Sequence, residues 1–283
     1  MTTRLSPTTA PPAAAARSFL FVPGDRPDRF DKAWASAADE VILDLEDAVG
    51  VERKVHARAA VSAWLNPSRP VFVRINAVET AWYEDDLELL TNPGVLGLMV
   101  PKAEVLDSGL VSACATHGKR LLPIVETAVG FQRASELATT RCVERLAFGT
   151  LDFQVDMGLT GDDDALLYFR SRLVLESRLA GIQAPVDGVT PAIGDIAVLS
   201  ADTARSKRIG FGGKLCIHPS QLDEVNWCFA PSPDDIKWAE EVVQAIANSH
   251  GAAIAIAGKM VDRPVILKAE RILGSARRLS RVR

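Results

Sequence analysis

The sequence predicts an α/β protein built as a closed (β/α)8 TIM barrel with a C-terminal helical lid extension. Eight short apolar runs bounded by turn residues recur along the 283 residues. Their starts lie about 22 to 40 residues apart, which leaves room for a helix and a return loop after each strand. Parallel strands need such crossovers, and closing eight of them into a barrel removes the exposed sheet edges.

The predicted strands are, in chain order, Phe19–Val22, Val41–Leu45, Val71–Ile75, Val95–Val100, Arg120–Val125, Arg145–Phe148, Pro185–Val189 and Lys214–Ile217. A doubly wound open sheet is the alternative. It is less favoured because no GxGxxG follows an early strand and because eight evenly spaced units fill the chain.

The clearest helical spacing lies over Ala165–Ala180, with Gly181 as its end. We expect its apolar positions to face inward and its arginines to be solvated. The apolar positions are Leu166, Phe169, Leu173 and Leu179, and the arginines are Arg170, Arg172 and Arg178.

The ends of the chain differ in composition from its middle. Residues 1–16 are rich in Ala, Pro and Thr, which predicts a disordered leader; a transit peptide is the alternative. Residues 17–258 make up the predicted barrel. Helices are predicted over Asp234–Ser249 and Val265–Leu279, and residues 259–283 exceed what eight units require. This last segment is predicted to cap the barrel or to reach a neighbouring subunit as a lid.

The overall charge and composition exclude several classes of protein. The chain has 32 Lys and Arg against 36 Asp and Glu, so its net charge of −4 argues against a nucleic-acid partner. No apolar run approaches the roughly 20 residues that span a bilayer. Four cysteines without CxxC spacing suit the reducing cytoplasm. We expect a soluble, cytoplasmic protein that binds a small molecule.

Four carboxylates follow predicted strands at the end where the residues of a barrel share one mouth. They are Glu46, Asp47, Glu126 and Asp152. Such a group of like charges is unstable without a cation, and an all-oxygen ligand set favours Mg²⁺ first and Mn²⁺ second. The alternative is that these acids are helix caps and surface charges.

Two cations end neighbouring strands. Arg74 is placed to clamp a carboxylate or to stabilise an enolate oxygen, or else to form a structural ion pair. Lys102 is a candidate for a Schiff base, but a salt bridge is favoured because an acidic neighbourhood keeps a lysine charged. His218 is interpreted as structural, and Cys216 lacks a third group for nucleophilic catalysis.

Seven segments, in order, resemble the HpcH/HpaI aldolase and citrate lyase β-subunit-like family, which includes malyl-CoA and citramalyl-CoA lyases. The segments are Arg17-Ser-Phe-Leu-Phe-Val-Pro-Gly24, Asp44-Leu-Glu-Asp-Ala-Val49, Val73-Arg-Ile-Asn76, Val100-Pro-Lys102, Pro123-Ile-Val-Glu-Thr-Ala128, Phe148-Gly-Thr-Leu-Asp-Phe153 and Gly213-Lys-Leu-Cys-Ile-His-Pro219.

The resemblance implies a Mg²⁺-dependent barrel in which Glu126 and Asp152 ligate the metal while Glu46 and Asp47 hold its waters. It also implies that Arg74 contacts a substrate carboxylate or the thioester oxygen.

By the same resemblance, Phe21, Arg26 and Lys32 contact a coenzyme A moiety. Charges around the first loop suit phosphates independently, although a solvated turn is an equal alternative. Met260-Val-Asp-Arg-Pro264 is similar to the family's lid motif, which makes Asp262 the acid or base supplied to a neighbouring subunit. A homotrimer or hexamer is therefore expected.

The implied activity is that of a Mg²⁺-dependent carbon–carbon lyase. It would cleave a 3-hydroxy-dicarboxylyl-CoA thioester, such as malyl-CoA or citramalyl-CoA, into acetyl-CoA and a 2-keto acid, or form the thioester from these two. The alternatives are a citrate lyase β-type subunit acting on a citryl thioester of an acyl carrier protein, a malyl-CoA thioesterase, a non-catalytic acyl-thioester-binding subunit, and an aldolase for free hydroxy acids.

Overall fold

Eight parallel strands pair in sequence order, and the eighth pairs with the first to close the barrel. The strands are β1 Ser18–Pro23, β2 Glu40–Asp44, β3 Val71–Arg74, β4 Val95–Val100, β5 Arg120–Val125, β6 Ala147–Phe148, β7 Val186–Asp187 and β8 Gly213–Cys216. The computed structural model describes residues 16–249, 254–256 and 259–279. All the predicted strands and the predicted TIM barrel are confirmed.

Helices follow the strands in the alternation that the spacing predicted. They are α1 Phe30–Trp34, α2 Lys54–Trp64, α3 Tyr83–Leu87, α4 Ser108–His117, α5 Ala128–Gln132, α6 Ala134–Thr139, α7 Thr150–Met157, α8 Asp163–Ala180, α9 Ile196–Ile209, α10 Leu222–Phe229, α11 Pro233–Ser249 and α12 Arg263–Leu279. None of the described helices combines the length and apolar character needed to cross a membrane.

The barrel interior is filled by side chains that stand at alternate positions along the strands and point inward. These buried residues are Phe19, Ile42, Phe72, Met99, Leu122, Ile124, Ala147, Val186 and Leu215. Because side chains alternate along a strand, the residues two positions further on also face inward, at the carboxyl end of the barrel. That alternation places Asp44, Arg74 and Glu126 at the barrel mouth.

Helix α8 differs from its predicted orientation at two positions. Arg170, expected in solvent, is 1% exposed, and Leu179, expected inside, is 72% exposed. Leu166, Arg170 and Leu173 are spaced four and three residues apart and share one face of the helix. The buried Arg170 is compensated by Asp187 of β7, with Nε 3.0 Å from Oδ1.

The amino end of the barrel is closed by Arg145, which is fully buried and donates to the carbonyl oxygens of Ala16 and Ala184. Burial lowers the pKa of Arg145 to about 10. Glu40 begins β2 at the same end. Burial raises the pKa of Glu40 to about 7, against the opposing charge of Arg120.

The chain divides into two compact units, with the division at Asn226 and Trp227, inside α10. In the second unit α11 packs against α12 around Ala239, Val242 and Ala269. The antiparallel strands β9 Ile254–Ile256 and β10 Lys259–Val261 precede α12 and were not predicted. The predicted leader lies outside the described residues except for Ala16.

Candidate active site at the barrel mouth

Arg74 is the centre of an ion-pair network at the ends of β2 and β3. Its Nε and Nη2 donate to the two carboxylate oxygens of Asp44 at 2.7 and 2.6 Å, and its Nη1 lies 2.9 Å from Glu46 Oε2 and 3.4 Å from Asp47 Oδ2. Burial acts to lower the pKa of Arg74, but the charges of Asp44, Glu46 and Asp47 and the hydrogen bonds to Asp44 together outweigh it, and the pKa is raised. Arg74 stays a cation.

Asp44 is a site residue that the sequence analysis did not single out. It is fully buried, and besides Arg74 it accepts hydrogen bonds from the backbone N–H groups of Glu46 and Ala48. One carboxylate therefore fixes both the guanidinium and the loop that carries the other acids. The signal was present, because Asp44 is two residues beyond the inward-facing Ile42.

Lys54 of α2 holds the same loop from behind and was also missed. Its buried Nζ donates to the carbonyl oxygens of Leu45 and Glu46 at 2.8 and 2.7 Å. Burial lowers the pKa of Lys54, although Asp44 and Glu46 oppose the shift. No sequence pattern marks this contact, since it depends on how α2 packs.

Glu46 is 5% exposed, and its carboxyl group holds a proton more tightly than an exposed glutamate does. Burial raises the pKa of Glu46 to about 7, opposed by Arg74 and reinforced by Asp47. Its Oε1 lies 3.5 Å from Lys102 Nζ, while its buried Oε2 has no hydrogen bond of good geometry in spite of its proximity to Arg74. A buried carboxylate oxygen that is held by an ion pair but accepts no well-directed hydrogen bond can accept one from a further ligand.

Glu126, at the end of β5, is 3% exposed, and burial raises its pKa to about 8. Its Oε1 accepts a hydrogen bond from the Lys102 backbone N–H at 2.6 Å, and the charges of Glu46 and Asp152 add to the rise. A side-chain carbon at Gly149 would stand 2.3 Å from Glu126 Oε2, so the glycine leaves the space that this oxygen occupies.

The donor set fits a hard cation. Glu126 interacts electrostatically with Glu46 and Asp152, and Glu46 with Asp47, so each of the four predicted carboxylates lies within electrostatic range of another. Among the residues that the structure describes, no three His, Cys, Asp or Glu side chains are grouped so that together they could hold a metal ion. Two carboxylates with waters in the remaining positions are typical of Mg²⁺.

The three residues predicted to contact coenzyme A lie around the first βα unit. The Phe21 ring packs under Arg74, with 4.6 Å between the guanidinium carbon and the ring centroid. Arg26 is exposed and paired with Asp28. Lys32 is exposed on α1, and within the described part of the chain its side chain has no hydrogen bond or ion pair.

Cys216 and His218 do not form a nucleophilic pair. Burial raises the pKa of the Cys216 thiol to about 12. His218 Nδ1 accepts a hydrogen bond from the Ser220 backbone N–H at 3.2 Å and caps the turn after β8. The structural interpretation of His218 is confirmed.

Asp262 lies in the second unit, between β10 and α12. Its Oδ1 accepts a hydrogen bond from the Val265 N–H at 3.2 Å, so it is the N-cap of α12. Its carboxylate is exposed.

Residues 17–219 match the HpcH/HpaI aldolase/citrate lyase family. A citrate lyase subunit beta-like protein of Deinococcus radiodurans is 36% identical and is matched over 93% of this chain and 98% of its own length. The chain belongs to this family. The resemblance drawn from the seven sequence segments is thereby confirmed.

Two further members of the HpcH/HpaI family are informative. A (3S)-malyl-CoA thioesterase of Cereibacter sphaeroides is 32% identical over 94% of this chain and 96% of its own. CitE of Mycobacterium tuberculosis, solved in complex with magnesium, acetoacetate and coenzyme A, is 35% identical, with a TM-score of 0.79 and coverage of 94% and 99%. The family thus contains enzymes of more than one activity.

Proposed function

We propose that the chain is a Mg²⁺-dependent carbon–carbon lyase acting on a 3-hydroxy-dicarboxylyl-CoA thioester such as malyl-CoA or citramalyl-CoA. The observation that carries the proposal is Glu126, a buried carboxylate with a raised pKa, held on one oxygen by the Lys102 N–H and open on the other beside Gly149. The complex of M. tuberculosis CitE with magnesium, acetoacetate and coenzyme A supports the choice of the metal and of coenzyme A as the thiol part of the substrate.

In this proposal Glu126 and Asp152 ligate Mg²⁺ while Glu46 and Asp47 hold its waters. The bound ion would polarise the substrate's hydroxyl and carboxylate oxygens and lower the pKa of that hydroxyl. Mn²⁺ fits the same oxygen donors.

Arg74 is assigned to the oxygen of the thioester. Cleavage of the carbon–carbon bond sends its electron pair toward the thioester carbonyl, and the enolate oxygen that forms needs a cation. The contact of Arg74 Nη1 with the exposed Asp47 is its longest, at 3.4 Å, so Asp47 is the acceptor that a substrate oxygen would displace from this donor. Asp44 and Phe21 hold the guanidinium still.

Asp262 is assigned to proton transfer at the enolate carbon, giving acetyl-CoA, or to removal of that proton in the condensing direction. We propose that it acts at the mouth of a neighbouring subunit in a homotrimer or hexamer. Phe21, Arg26 and Lys32 would contact the coenzyme A moiety. The proposed division is a leader 1–16, a barrel 17–258 and a lid 259–283, with α11 packed on the lid helix α12.

The test is an assay of malyl-CoA, citramalyl-CoA and citryl-CoA with and without Mg²⁺. It follows both the 2-keto acid and the free thiol that are released. A lyase gives glyoxylate, pyruvate or oxaloacetate together with acetyl-CoA and no free thiol. Absence of every keto acid in the presence of Mg²⁺ would refute the lyase proposal.

A thioesterase is the second candidate, because relatives named (3S)-malyl-CoA thioesterase match nearly the whole chain. It would give free thiol and malate instead. A citrate lyase β-type subunit is favoured only by relatives such as that of Leuconostoc mesenteroides, which is 32% identical. It would be inactive on free thioesters and active with a citryl-charged acyl carrier protein, and a non-catalytic subunit would be inactive on both.

A further inference from the structure

The two cations at the barrel mouth differ in how many of their donors are free. Arg74 has all its nitrogens committed, to Asp44, Glu46 and Asp47, and its side chain is only 11% exposed. The stacked Phe21 ring also covers one face of its guanidinium. Arg74 has little capacity to bind a second anionic group besides the thioester oxygen.

Lys102 has that capacity. Its side chain is 45% exposed, and within the described residues its one ion pair is with Glu46 Oε1, at the long distance of 3.5 Å. An ammonium group carries three donors on a flexible stem. Burial acts to lower the pKa of Lys102, but Glu46 and Asp47 raise it on balance, so the side chain is a cation.

The backbone of Lys102 is also unusual. Its φ of 46° lies in the left-handed region, which glycine adopts at no steric cost and a side chain disfavours. This conformation turns the Lys102 N–H toward Glu126 Oε1, at 2.6 Å. Glycine would supply the same N–H with less strain, so strain at a residue bearing a half-exposed cation points to a role for the side chain.

We propose that Lys102 is a specificity-determining residue that receives the free carboxylate of the substrate. The proposal rests on the proposed function and deepens it, because it adds a second contact, beside the metal, to the carboxylate that distinguishes thioesters of hydroxy dicarboxylic acids from neutral 3-hydroxyacyl thioesters. The ammonium exchanges its long contact with Glu46 for a charge-assisted hydrogen bond to the incoming carboxylate.

The first experiment compares Lys102→Met with Lys102→Arg in the full-length protein. Steady-state kinetics on malyl-CoA and citramalyl-CoA give KM and kcat, and calorimetry gives the affinity for oxaloacetate and for pyruvate in the presence of Mg²⁺. Loss of a charged hydrogen bond predicts that Lys102→Met raises KM and weakens keto-acid binding by about 10- to 100-fold. The charge retained in Lys102→Arg should recover most of both losses. Unchanged KM and keto-acid affinity in Lys102→Met would overturn the proposal.

Calorimetric titration with Mg²⁺ alone separates this role from a structural one. Removing a positive charge from beside the carboxylates should leave the Mg²⁺ affinity of Lys102→Met equal or tighter, by up to about tenfold. A structural role predicts the opposite, with Mg²⁺ affinity and keto-acid affinity falling together, and that result would also contradict the proposal.

Lys102→Gly isolates the side chain from the backbone, because it keeps the N–H to Glu126 and relieves the left-handed strain. We expect it to reproduce the KM defect of Lys102→Met while unfolding at the same or a higher temperature. Wild-type KM in this variant would show that only the backbone matters. If the wild-type protein neither cleaves any thioester nor binds a keto acid with Mg²⁺, both proposals fail; turnover with an indifferent Lys102→Met removes only this one.

Discussion

Asp44 fixes the geometry of the barrel mouth, because its single buried carboxylate binds the Arg74 guanidinium and the backbone of the loop that carries Glu46 and Asp47. Asp44→Asn should leave the Arg74 guanidinium buried without its bidentate partner. Breaking a buried ion pair by removing one partner typically costs about 3–5 kcal/mol of unfolding free energy. Urea unfolding of the metal-free protein measures this loss.

Asp47→Asn is the matched control, since Asp47 contacts the same guanidinium but is 60% exposed. An exposed pair contributes about 0–1 kcal/mol, so this variant should unfold near the wild-type midpoint. Equal losses in the two variants would show that Asp44 has no special structural role.

Gly149 gives a prediction about the metal site that does not depend on turnover. A methyl group in Gly149→Ala would displace Glu126 Oε2, which stands 2.3 Å from the position of the new carbon. We expect the stabilisation of the protein by Mg²⁺, measured as a rise in Tm, to be lost or strongly reduced. Gly194→Ala is the control, because nothing lies within 4 Å of its added carbon. A full Mg²⁺ response in Gly149→Ala would argue against Glu126 as a ligand.

Glu40 provides a pH prediction at the opposite end of the barrel. Its pKa is raised to about 7 in the folded protein from an ordinary value of 4.5, chiefly by burial. The folded state therefore binds the proton more tightly, and stability falls as pH rises from about 4.5 to 7, by up to about 3 kcal/mol. Glu40→Gln should remove this loss, raising Tm relative to wild type at pH 8 but not at pH 5. An equal effect at both values would contradict it.

At the residue scale, the sequence identified most of the acids and the arginine but not what holds them. Their positions at the ends of predicted strands placed Glu126 and Arg74 at the mouth correctly, because the carboxyl ends of the strands of a barrel share one face. Lys54 was missed since its role depends on the packing of α2 against a loop. The metal and coenzyme A roles remain predictions.

At the scale of elements, α8 shows where a hydrophobic pattern misleads. The inward face was assigned by residue type, so Leu179 was placed inside and Arg170 outside. The helix instead buries one continuous face, whatever residue types stand on it. A buried arginine is tolerated on that face because Asp187 and Asp162 neutralise its charge. A sequence pattern cannot reveal a partner that lies on another element.

Two substitutions of Asp262 can separate its role as the N-cap of α12 from its proposed role as an acid or base. Asp262→Ser keeps an oxygen that caps the helix, whereas Asp262→Ala removes it at a cost of about 1 kcal/mol. Both variants lack the carboxylate. We expect both to lose thioester cleavage, with only the alanine variant unfolding earlier. Retained turnover in Asp262→Ser would show that the carboxylate is not the acid or base.

At the scale of the whole molecule, the fold could be predicted because eight regularly spaced units leave few topologies. The antiparallel pairing of β9 with β10 could not, since this Ala- and Ile-rich segment carries no alternation of apolar and polar residues that distinguishes a short strand from a helix. The compact second unit begins at Trp227, earlier than the boundary drawn from composition, because α11 packs on α12.

A lid that acts on a neighbouring subunit predicts complementation. Asp152→Asn and Asp262→Ser should each be inactive alone. When the two are co-expressed and purified together, random assembly should restore about a quarter of the sites, those pairing an intact barrel with an intact lid. Thioester cleavage by the mixture measures this. A mixture as inactive as its parents would mean that each lid serves its own barrel.

The contact of Lys54 with the carbonyl oxygens of Leu45 and Glu46 affects which substitutions the acidic loop can accept in evolution. The shape of the acidic loop is maintained by this ammonium, through backbone oxygens, and by the buried Asp44, and neither contact uses the side chains of Glu46 and Asp47. Those side chains are therefore free to vary without loss of the loop. Substitutions of those side chains can thus change what the mouth binds while the loop keeps its shape.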